Sequence, residues 1–271
     1  MTAYPDFRGK KVTVVGLGIE GVDLVRYLAA QGAQVTGSDA RTAEQLAHRL
    51  QELDGVPVRL SLGQNAIADT ESADAVFVSQ GVPLDIPAVR AARESGVPIS
   101  SMTRLFLELC PGPVVGITGS SGKTTTTGLV GAMFAAAGRP HAVGGNIGLG
   151  LLGLLDGLAP ETWVVAEISH TQLELTDRSP HVACVLNVTP NHLDRYAWDD
   201  YVALKRRILA YQGAGDLAVL NYENEVTRRM ADDARGEVLF FALEREPPGD
   251  GAILRDGSVV CRRGGRETAV L

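Results

Sequence analysis

The residues best suited to chemistry lie between Pro113 and Thr127, in the sequence PVVGITGSSGKTTTT. An apolar run, three glycines and then Lys123 and Thr124 predict a strand, a tight loop and the start of a helix. Backbone N–H groups and a helix N-terminus converge in such a loop, which suits a polyphosphate. The sequence therefore predicts binding of ATP or GTP, with Lys123 beside the β- and γ-phosphates and the Thr124 hydroxyl facing Mg²⁺.

This loop is a variant of the general phosphate-loop pattern. The pattern G-x-x-x-x-G-K-[ST] has glycine where this chain has Ile117, so the loop is G-x-x-G-x-x-G-K-T. The alternative interpretation is a glycine-rich turn with an exposed lysine, but lysine and hydroxyls directly after a β-branched strand favour the phosphate loop. The predicted cofactor-binding residues are Gly119, Ser120, Ser121, Gly122, Lys123, Thr124 and Thr125.

A second glycine-rich turn, G-L-G-I-E-G at residues 16–21, follows the strand predicted over Lys11–Val15. A helix over Val22–Ala30 and a second strand leading to Asp39 complete a βαβ unit of the dinucleotide-binding type. This unit is predicted to bind the phosphate or ribose of a nucleotide, and its spacing alone does not imply NAD. An ordinary tight turn is the alternative.

Strands and helices alternate along the chain, which predicts an α/β protein with parallel sheets. We expect an N-terminal Rossmann-like parallel-sheet domain over residues 1–99 and a P-loop-type central ATPase domain over residues 100–271. Ligands bind beyond the carboxyl ends of parallel strands, so the turn Ser79–Gly81 and the strand-ending Glu167 are candidate site residues. A carboxylate in the position of Glu167 is suited to the Mg²⁺ of a nucleotide. Near the C-terminus, Asp256-Gly257 predicts a hairpin turn.

Two residues leave alternatives open at this stage. His192 follows a predicted strand, and it is equally suited to bind a metal, to act as a general acid or base, or to bond to a helix start. Lys205 lies in the amphipathic helix predicted over Trp198–Ala210, where helical statistics favour an exposed lysine.

Composition excludes several classes of function. The net charge of -7, with no long basic run, argues against a general affinity for nucleic acid. Three widely spaced cysteines and an N-terminus without an apolar signal core predict a cytoplasmic protein. The most apolar run, Ile147–Leu158, is interrupted and shorter than the roughly 20 residues that span a bilayer, so no membrane insertion is expected.

The order of six motifs resembles that of the Mur ligase family. They are GLGxxG, GITGxxGKTTT, GGNIG, ExSxxQLE, NVTPxHLDR and a helix bearing Y-x-x-x-K, and together they span essentially the whole chain. The resemblance implies a monomeric ATP-dependent ligase of peptidoglycan-precursor synthesis, which joins D-glutamate to UDP-N-acetylmuramoyl-L-alanine through an acyl phosphate. It implies that the first domain binds the UDP-sugar and that the second binds ATP and two Mg²⁺ ions.

The resemblance also implies roles for individual residues. The catalytic residues would be Lys123, Glu167, His192 and Lys205, and the metal ligands would be Thr124, Glu167, His192 and Lys205. Lys205 would be carbamylated on its ε-amine, which turns a cation into a carboxylate and reverses the surface interpretation. The substrate-binding residues would be Gly18, Ile19, Glu20, Asp39, Arg41, Ser79, Gln80, Gly81, Asn146, Ser169 and His192.

The chain departs from the family pattern at several positions, which we interpret as variation within a working site. Asparagine, serine, phenylalanine and aspartate are common where this chain has Ser121, His170, Thr171 and Asn191, and Gln80 replaces a proline. The chain stops at Leu271, where the family continues into a third, amino-acid-binding domain. This two-domain portion is therefore expected to be inactive alone and to need that domain for D-glutamate.

Three alternatives to this function stay open. A sister Mur ligase would add a different amino acid, and a non-catalytic module would bind the UDP-sugar or a nucleotide without turnover. A nicotinamide-dependent oxidoreductase is the interpretation that the first glycine turn would support by itself.

Overall fold

The computed structural model describes residues 6–147 and 150–270, which form two compact units. The first contains residues 6–109 and 150–157, and the second contains residues 110–147 and 158–270. The predicted division after residue 99 assigns residues 100–109 to the second domain, whereas their packing groups them with the first unit. Gly148 of the GGNIG motif, and residues 1–5 of the N-terminal segment, lie outside the described residues.

The first unit is a parallel sheet flanked by helices, as the alternating pattern predicts. Its strands are β1 Lys11–Val15, β2 Gln34–Asp39, β3 Val58–Leu62, β4 Ala75–Val78 and β5 Ile99–Ser100. Its helices are α1 Ile19–Ala30, α2 Ala47–Gln51, α3 Ile67–Glu71, α4 Pro87–Glu94 and α5 Met102–Leu109, and a 3₁₀ helix covers Leu152–Gly157. The strand order β3-β2-β1-β4-β5 makes the chain change direction across the sheet beside β1, which opens a crevice at the carboxyl ends of β1 and β4.

The second unit contains a larger mixed sheet. Its strands are β6 Val114–Thr118, β7 His141–Gly145, β8 Trp163–Glu167, β9 Val182–Val185, β10 Leu217–Asn221, β11 Glu237–Ala242, β12 Gly251–Arg255, β13 Ser258–Arg263 and β14 Arg266–Ala269. Its helices are α6 Lys123–Ala136, α7 His170–Leu173, α8 Trp198–Ala210 and α9 Glu225–Arg229, followed by a 3₁₀ helix at Met230–Asp233. The order is β14-β13-β12-β11-β10-β9-β6-β8-β7, parallel from β7 to β12 and antiparallel at β13 and β14.

Strand β6 is central to this second sheet and positions the phosphate loop. All five of its residues are buried between β8 and β9, and Ile117 is fully buried. Ile117 packs with Val165 and Cys184 in the core of the unit. Because Ile117 belongs to the buried strand, the first turn of the loop begins later, at Gly119.

Most of the predicted elements are confirmed, and α8 has the predicted bounds. The hairpin turn at Asp256-Gly257 joins β12 to β13, with Arg255 opposite Ser258. The alternating pattern also predicts a helix near Thr42 to Leu53, and the observed helix α2 is shorter, covering Ala47–Gln51. Helices α3, α5 and α7 and strands β7 and β14 were not predicted. Among the described residues, no helix is long and apolar enough to cross a membrane.

The glycine turn of the first unit gives a test of packing. A Cβ on Gly21 would overlap the Gly16 carbonyl oxygen and approach Ser79 Oγ to 2.8 Å, whereas a Cβ on Gly18 would meet nothing within 4 Å. Gly21→Ala should therefore lower the free energy of unfolding by about 1–3 kcal/mol, as overpacking does. Gly18→Ala, the matched control, should cost less than about 1 kcal/mol. Urea denaturation measures both, and equal costs for the two variants would contradict the close approach of α1 to the turn.

Candidate functional site

The phosphate loop of the second unit joins β6 to α6. Gly122, directly before α6, has a left-handed backbone with φ of 80°, which glycine adopts without strain. Asn187, two residues beyond β9, fastens the loop: its side-chain oxygen accepts the Ser121 amide at 3.0 Å, and its carbonyl accepts the Ser120 amide at 2.9 Å. Hydrogen bonds to Asn187, in the segment that follows β9, thus hold the loop in this conformation.

Two lysine side chains converge on one carbonyl oxygen of this loop. Nζ of Lys123 donates to the Gly119 carbonyl at 3.1 Å, and Nζ of Lys205 donates to the same oxygen at 3.0 Å and to Thr118 Oγ1 at 3.0 Å. Lys205 is 1% exposed, so the statistical expectation of a surface lysine is wrong. Burial, and after it the positive charge of Lys123, lowers the pKa of Lys205 to about 7.

Glu167, the last residue of β8, lies beside the loop and is 2% exposed. One carboxylate oxygen accepts the Thr124 hydroxyl at 2.8 Å, and the other accepts the Asn146 side-chain amide at 2.9 Å. The structure thus brings together three residues that the sequence marked. A carboxylate and a hydroxyl are hard oxygen donors of the kind that Mg²⁺ prefers.

His192 lies in the exposed loop between β9 and α8. Its backbone is left-handed, with φ of 55°, and its amide donates to Asn191 Oδ1 at 2.9 Å. Its ring packs on the ring of His170, with centroids 4.4 Å apart, and lies 6.1 Å from the ring of Tyr201. Across residues 6–147 and 150–270, no three His, Cys, Asp or Glu side chains form a group that could hold a metal ion.

His170 begins α7 and is half-buried among aromatic rings. The rings of Tyr196 and Tyr201 meet it edge-on at 5.4 and 5.5 Å. Burial, followed by the nearby charge of Lys205, lowers the pKa of His170 to about 4. His170 is therefore neutral at neutral pH.

Several contacts hold the elements that carry these groups. Ser169 caps α7: its hydroxyl accepts the Gln172 amide at 3.2 Å, while Gln172 Oε1 accepts the Ser169 amide at 2.9 Å. Arg207 of α8 donates to the carbonyl oxygens of Leu173 and Thr176 at 2.8 and 2.6 Å, which ties α8 to the end of α7. Thr125, also predicted to bind cofactor, is exposed in the first turn of α6.

The predicted substrate residues of the first unit surround a separate cavity of about 500 Å³ at the carboxyl ends of the strands. Gly18, Asp39, Arg41, Ser79, Gln80 and Gly81 all line it. Ile19 and Glu20 are not among its described lining residues; Ile19 is half exposed, and the buried Glu20 carboxylate accepts the Gln80 amide at 3.1 Å. Asn65, Val82, Pro83 and Ile86 also line the cavity, together with Gly16 and Ala40, and none of these is among the predicted substrate residues.

Asp39 organises this cavity through both of its carboxylate oxygens. One accepts the Leu17 amide at 2.7 Å and Arg41 Nη2 at 2.8 Å, and the other accepts the Arg41 amide at 2.9 Å and Nε at 3.0 Å. Burial opposes ionisation of Asp39, but these hydrogen bonds outweigh it and hold its pKa below the ordinary value. Ser79 Oγ donates to the Gly16 carbonyl at 2.7 Å and closes the turn from the side of β4.

Three supporting residues went unrecognised in the sequence. Asn187 lies inside the quoted motif NVTPxHLDR, and the Tyr201 hydroxyl, in the motif Y-x-x-x-K, is 3.1 Å from Ser120 Oγ. The motifs therefore marked Asn187 and Tyr201 as candidate site residues, but they did not predict that these residues contact Ser121 and Ser120 of the phosphate loop. Asn65, whose side-chain oxygen accepts the Ser38 hydroxyl at 3.0 Å, had no such signal.

Parallel sheets with glycine turns at their carboxyl ends define a two-unit α/β protein with a phosphate loop. The family model described as "Mur ligase middle domain" matches residues 117–267 of this chain, and the model described as "Mur ligase MurD-like, N-terminal domain" matches residues 10–101. The chain therefore belongs to the Mur ligase family.

Relatives and a solved structure agree with this assignment. The chain is 43% identical over 264 residues to the UDP-N-acetylmuramoylalanine--D-glutamate ligase of Symbiobacterium thermophilum, covering 97% of this chain and 58% of that one. It is 38% identical over 268 residues to the ligase of that name from Acetivibrio thermocellus, covering 97% and 56%. The chain thus spans less than three-fifths of these relatives' length. The ligase named UDP-N-acetylmuramate:L-alanyl-gamma-D-glutamyl-meso-diaminopimelate ligase, from Neisseria meningitides, shares the fold, with a TM-score of 0.59, 18% identity and coverage of 96% and 86%.

The buried Lys205 predicts a pH dependence of stability. Its pKa of about 7 lies below the unfolded value, so the folded state binds fewer protons and is disfavoured at low pH. Wild-type stability should therefore rise relative to Lys205→Met between pH 7 and pH 9, by on the order of 2 kcal/mol. Urea denaturation of both proteins in CO₂-depleted buffer measures the difference.

The exposed Lys10 provides the matched control. The free energy of unfolding of Lys10→Met should depend on pH between pH 7 and pH 9 as that of the wild type does. If the free energies of unfolding of the wild type and Lys205→Met differed by the same amount at pH 7 and at pH 9, this would contradict a lowered pKa of Lys205.

Proposed function

We propose that this chain is the portion of a UDP-N-acetylmuramoyl-L-alanine:D-glutamate ligase that binds the UDP-sugar, ATP and Mg²⁺. The names and identities of the relatives support the choice of substrates. The observation that carries the chemistry is the pair Lys123 and Lys205 on the Gly119 carbonyl, within a phosphate loop that also bonds to Glu167 through Thr124. Its monomeric state and cytoplasmic location stay predictions.

The loop residues fit a polyphosphate. Burial, and after it the charge of Lys123, lowers the pKa of Lys205, and an anion bound between the two lysine side chains would offset the repulsion between them. Residues Gly119 to Thr125 would surround the phosphates of ATP, with the N-terminus of α6 directed at them.

The oxygen donors beside the phosphate loop fit one Mg²⁺ ion, whereas a second Mg²⁺ ion would need more negative oxygens than the described side chains offer. Thr124 and Glu167 together offer hard oxygen ligands. A second site with His192 would need further negative oxygens, which a carbamate on Lys205 would supply. A carbamate forms from a neutral amine, so the near-neutral pKa of Lys205 favours it. When bound, Mg²⁺ would neutralise charge on the phosphates.

The proposed reaction has two steps. A carboxylate oxygen of UDP-N-acetylmuramoyl-L-alanine attacks the γ-phosphorus of ATP, the bond to the ADP oxygen breaks, and an acyl phosphate forms. The D-glutamate nitrogen then attacks the acyl carbon, phosphate leaves and the nitrogen loses a proton, which completes the amide. Lys123 and the loop N–H groups would stabilise charge that develops on the transferred phosphoryl oxygens.

The UDP-sugar is assigned to the cavity of the first unit. The turn at Gly18, the Arg41 guanidinium and the Ser79–Gly81 turn offer backbone donors and a positive charge to a diphosphate. Asn146 and Ser169 of the second unit are proposed to contact the muramoyl part. The oxidoreductase alternative is disfavoured, because NAD recognition uses a carboxylate for the ribose hydroxyls and both oxygens of Asp39 already accept hydrogen bonds.

Removal of the phosphate-loop lysine tests the nucleotide site. Lys123→Ala should abolish detectable ATP–Mg²⁺ binding by calorimetry, because the lysine supplies charge to the phosphates rather than packing. It should also stop any ADP formation that UDP-N-acetylmuramoyl-L-alanine elicits from wild type. Circular dichroism checks that the fold is kept.

The exposed Lys10 again gives the control, and Lys10→Ala should bind ATP as the wild type does. An unchanged ATP affinity in Lys123→Ala would remove the phosphate-loop assignment. ATP and UDP-sugar binding without any ADP formation by the wild type would favour the non-catalytic module, and ADP formation with a different UDP-peptide would favour a sister ligase.

A second substitution tests the UDP-sugar site. Arg41→Ala should weaken binding of UDP-N-acetylmuramoyl-L-alanine, measured without ATP, by about tenfold, the worth of one charge-assisted hydrogen bond. Arg90→Ala, which removes an exposed arginine of α4 outside the cavity lining, should leave the affinity unchanged. A fluorescence titration that detects NADH but no UDP-sugar would favour the oxidoreductase instead.

A further inference from the structure

Tyr201 of helix α8 is a buried residue to which the proposed ligase chemistry gives no role. It is 1% exposed, and its hydroxyl oxygen lies 3.1 Å from Ser120 Oγ in the phosphate loop. The centre of its ring lies 5.6 Å from Nζ of Lys205, which follows one turn later in the same helix. Tyr201 therefore contacts both the phosphate loop and the buried lysine.

The hydroxyl group of Ser120 joins two further segments of the chain. Ser120 Oγ donates to the Thr189 carbonyl oxygen at 3.1 Å and accepts the Thr189 amide at 3.0 Å. Thr189 lies after strand β9, in the same loop as His192. These two hydrogen bonds therefore fasten the segment that carries His192 to the phosphate loop.

The hydrogen bonds of Ser120 fix the direction of its bond with Tyr201. A serine hydroxyl has one proton to donate and two lone pairs that accept. Thr189 takes the proton and one lone pair, so the other lone pair accepts the proton of the Tyr201 hydroxyl. The Ser120 amide is also engaged, since it donates to the Asn187 carbonyl oxygen at 2.9 Å. In this arrangement, neither donor of Ser120 is left for a phosphate oxygen.

The same helix reaches the adjacent residue of the loop. Nζ of Lys205 donates to the Gly119 carbonyl at 3.0 Å, so Tyr201 and Lys205 contact two consecutive loop residues. A shift of the loop at Ser120 would move the carbonyl oxygen that Lys205 shares with Lys123. The Tyr201 hydroxyl thus holds a part of the loop on which the placement of both lysines depends.

We propose that Tyr201 is a positioning residue of the nucleotide site, which holds the phosphate loop through its hydrogen bond to Ser120 and touches no ligand itself. Ser120 then contributes through the position of the loop, and the phosphates are bound by donors further along it, at the N-terminus of α6. This inference rests on the proposed function, because it concerns the site assigned there to ATP. It extends that function by separating the loop residues that bind phosphate from those that hold the loop in place.

A double-mutant cycle on nucleotide affinity tests this role. Tyr201→Phe keeps the ring and removes only the donor, so the ATP–Mg²⁺ affinity measured by calorimetry should fall about three- to tenfold, the worth of one hydrogen bond. Ser120→Ala should weaken binding at least as much. Tyr201→Phe added to Ser120→Ala should cause no further loss, since the acceptor is already gone. Tyr211→Phe, the control, alters a 43% exposed tyrosine directly after α8 and should bind ATP as the wild type does.

The amide resonance of Thr189 gives a readout that does not depend on nucleotide. The Thr189 amide donates to Ser120 Oγ, so NMR of the full chain without ATP should show its resonance shifted in Tyr201→Phe and in Ser120→Ala. The resonance should be unchanged in Tyr211→Phe. Circular dichroism checks folding, and Ser120→Ala breaks the same hydrogen bond from the side of the loop if Tyr201→Phe folds poorly.

Three results would overturn the proposal. They are an unchanged ATP affinity in Tyr201→Phe, equal losses from Ser120→Ala with and without Tyr201→Phe, and an unchanged Thr189 resonance in Tyr201→Phe. Equal losses would mean that Ser120 contacts the phosphates directly. If the wild type bound no ATP, the proposed function would fail, whereas the Thr189 resonance would still decide whether Tyr201 holds Ser120.

Discussion

The second unit depends on one costly arrangement, an amine buried beneath the phosphate loop. Lys205 gives up water for two hydrogen bonds, to the Thr118 hydroxyl and the Gly119 carbonyl, and it does so near the charge of Lys123. Burial of an ammonium without a bonded carboxylate costs free energy that the surrounding packing must offset. The same arrangement places an amine whose pKa is about 7 at the carboxyl end of β6. In a parallel sheet, ligands bind beyond the carboxyl ends of the strands.

The neighbouring contacts all serve to keep that amine in place. Arg207, two residues beyond Lys205, fastens α8 to the carbonyl oxygens that end α7. Tyr201, one helical turn earlier, reaches Ser120 in the loop. Helix α8 is thus joined both to the phosphate loop and to α7, and the residues it carries cannot shift independently of either. Asn187 fastens the other side of the loop through Ser120 and Ser121.

Much of the fold could be predicted from the sequence, because β-branched runs and helical spacing recur with little ambiguity. The elements that were missed are short or lie where local signals conflict. Strand β7 contains two glycines, which are poor strand formers, and β14 is an exposed edge strand of charged and small residues. Helix α5 was not predicted, although Met102, Leu105 and Phe106 have helical spacing and are buried.

The site shows the same limit in a different form. Glycine turns, Lys123 and the strand-ending Glu167 follow local rules, so the residues alone marked them. Lys205 does not, since nothing within α8 tells a surface lysine from one that another segment covers; its burial comes from a loop more than 80 residues earlier in the chain. The hydrogen bond from the Leu17 amide to Asp39, which joins residues 22 positions apart, is likewise a tertiary outcome that the βαβ pattern does not specify.

The antiparallel end of the second sheet has a practical consequence. Strands β13 and β14 meet at the turn Gly264-Gly265, where both residues are exposed with positive φ, and five strands separate β14 from β6. At about 4.8 Å per strand, β14 lies nearly 30 Å across the sheet from the strand that carries the phosphate loop. A fluorophore, an affinity handle or a surface tether attached at this turn would therefore report on the protein while lying far from the loop between β6 and α6.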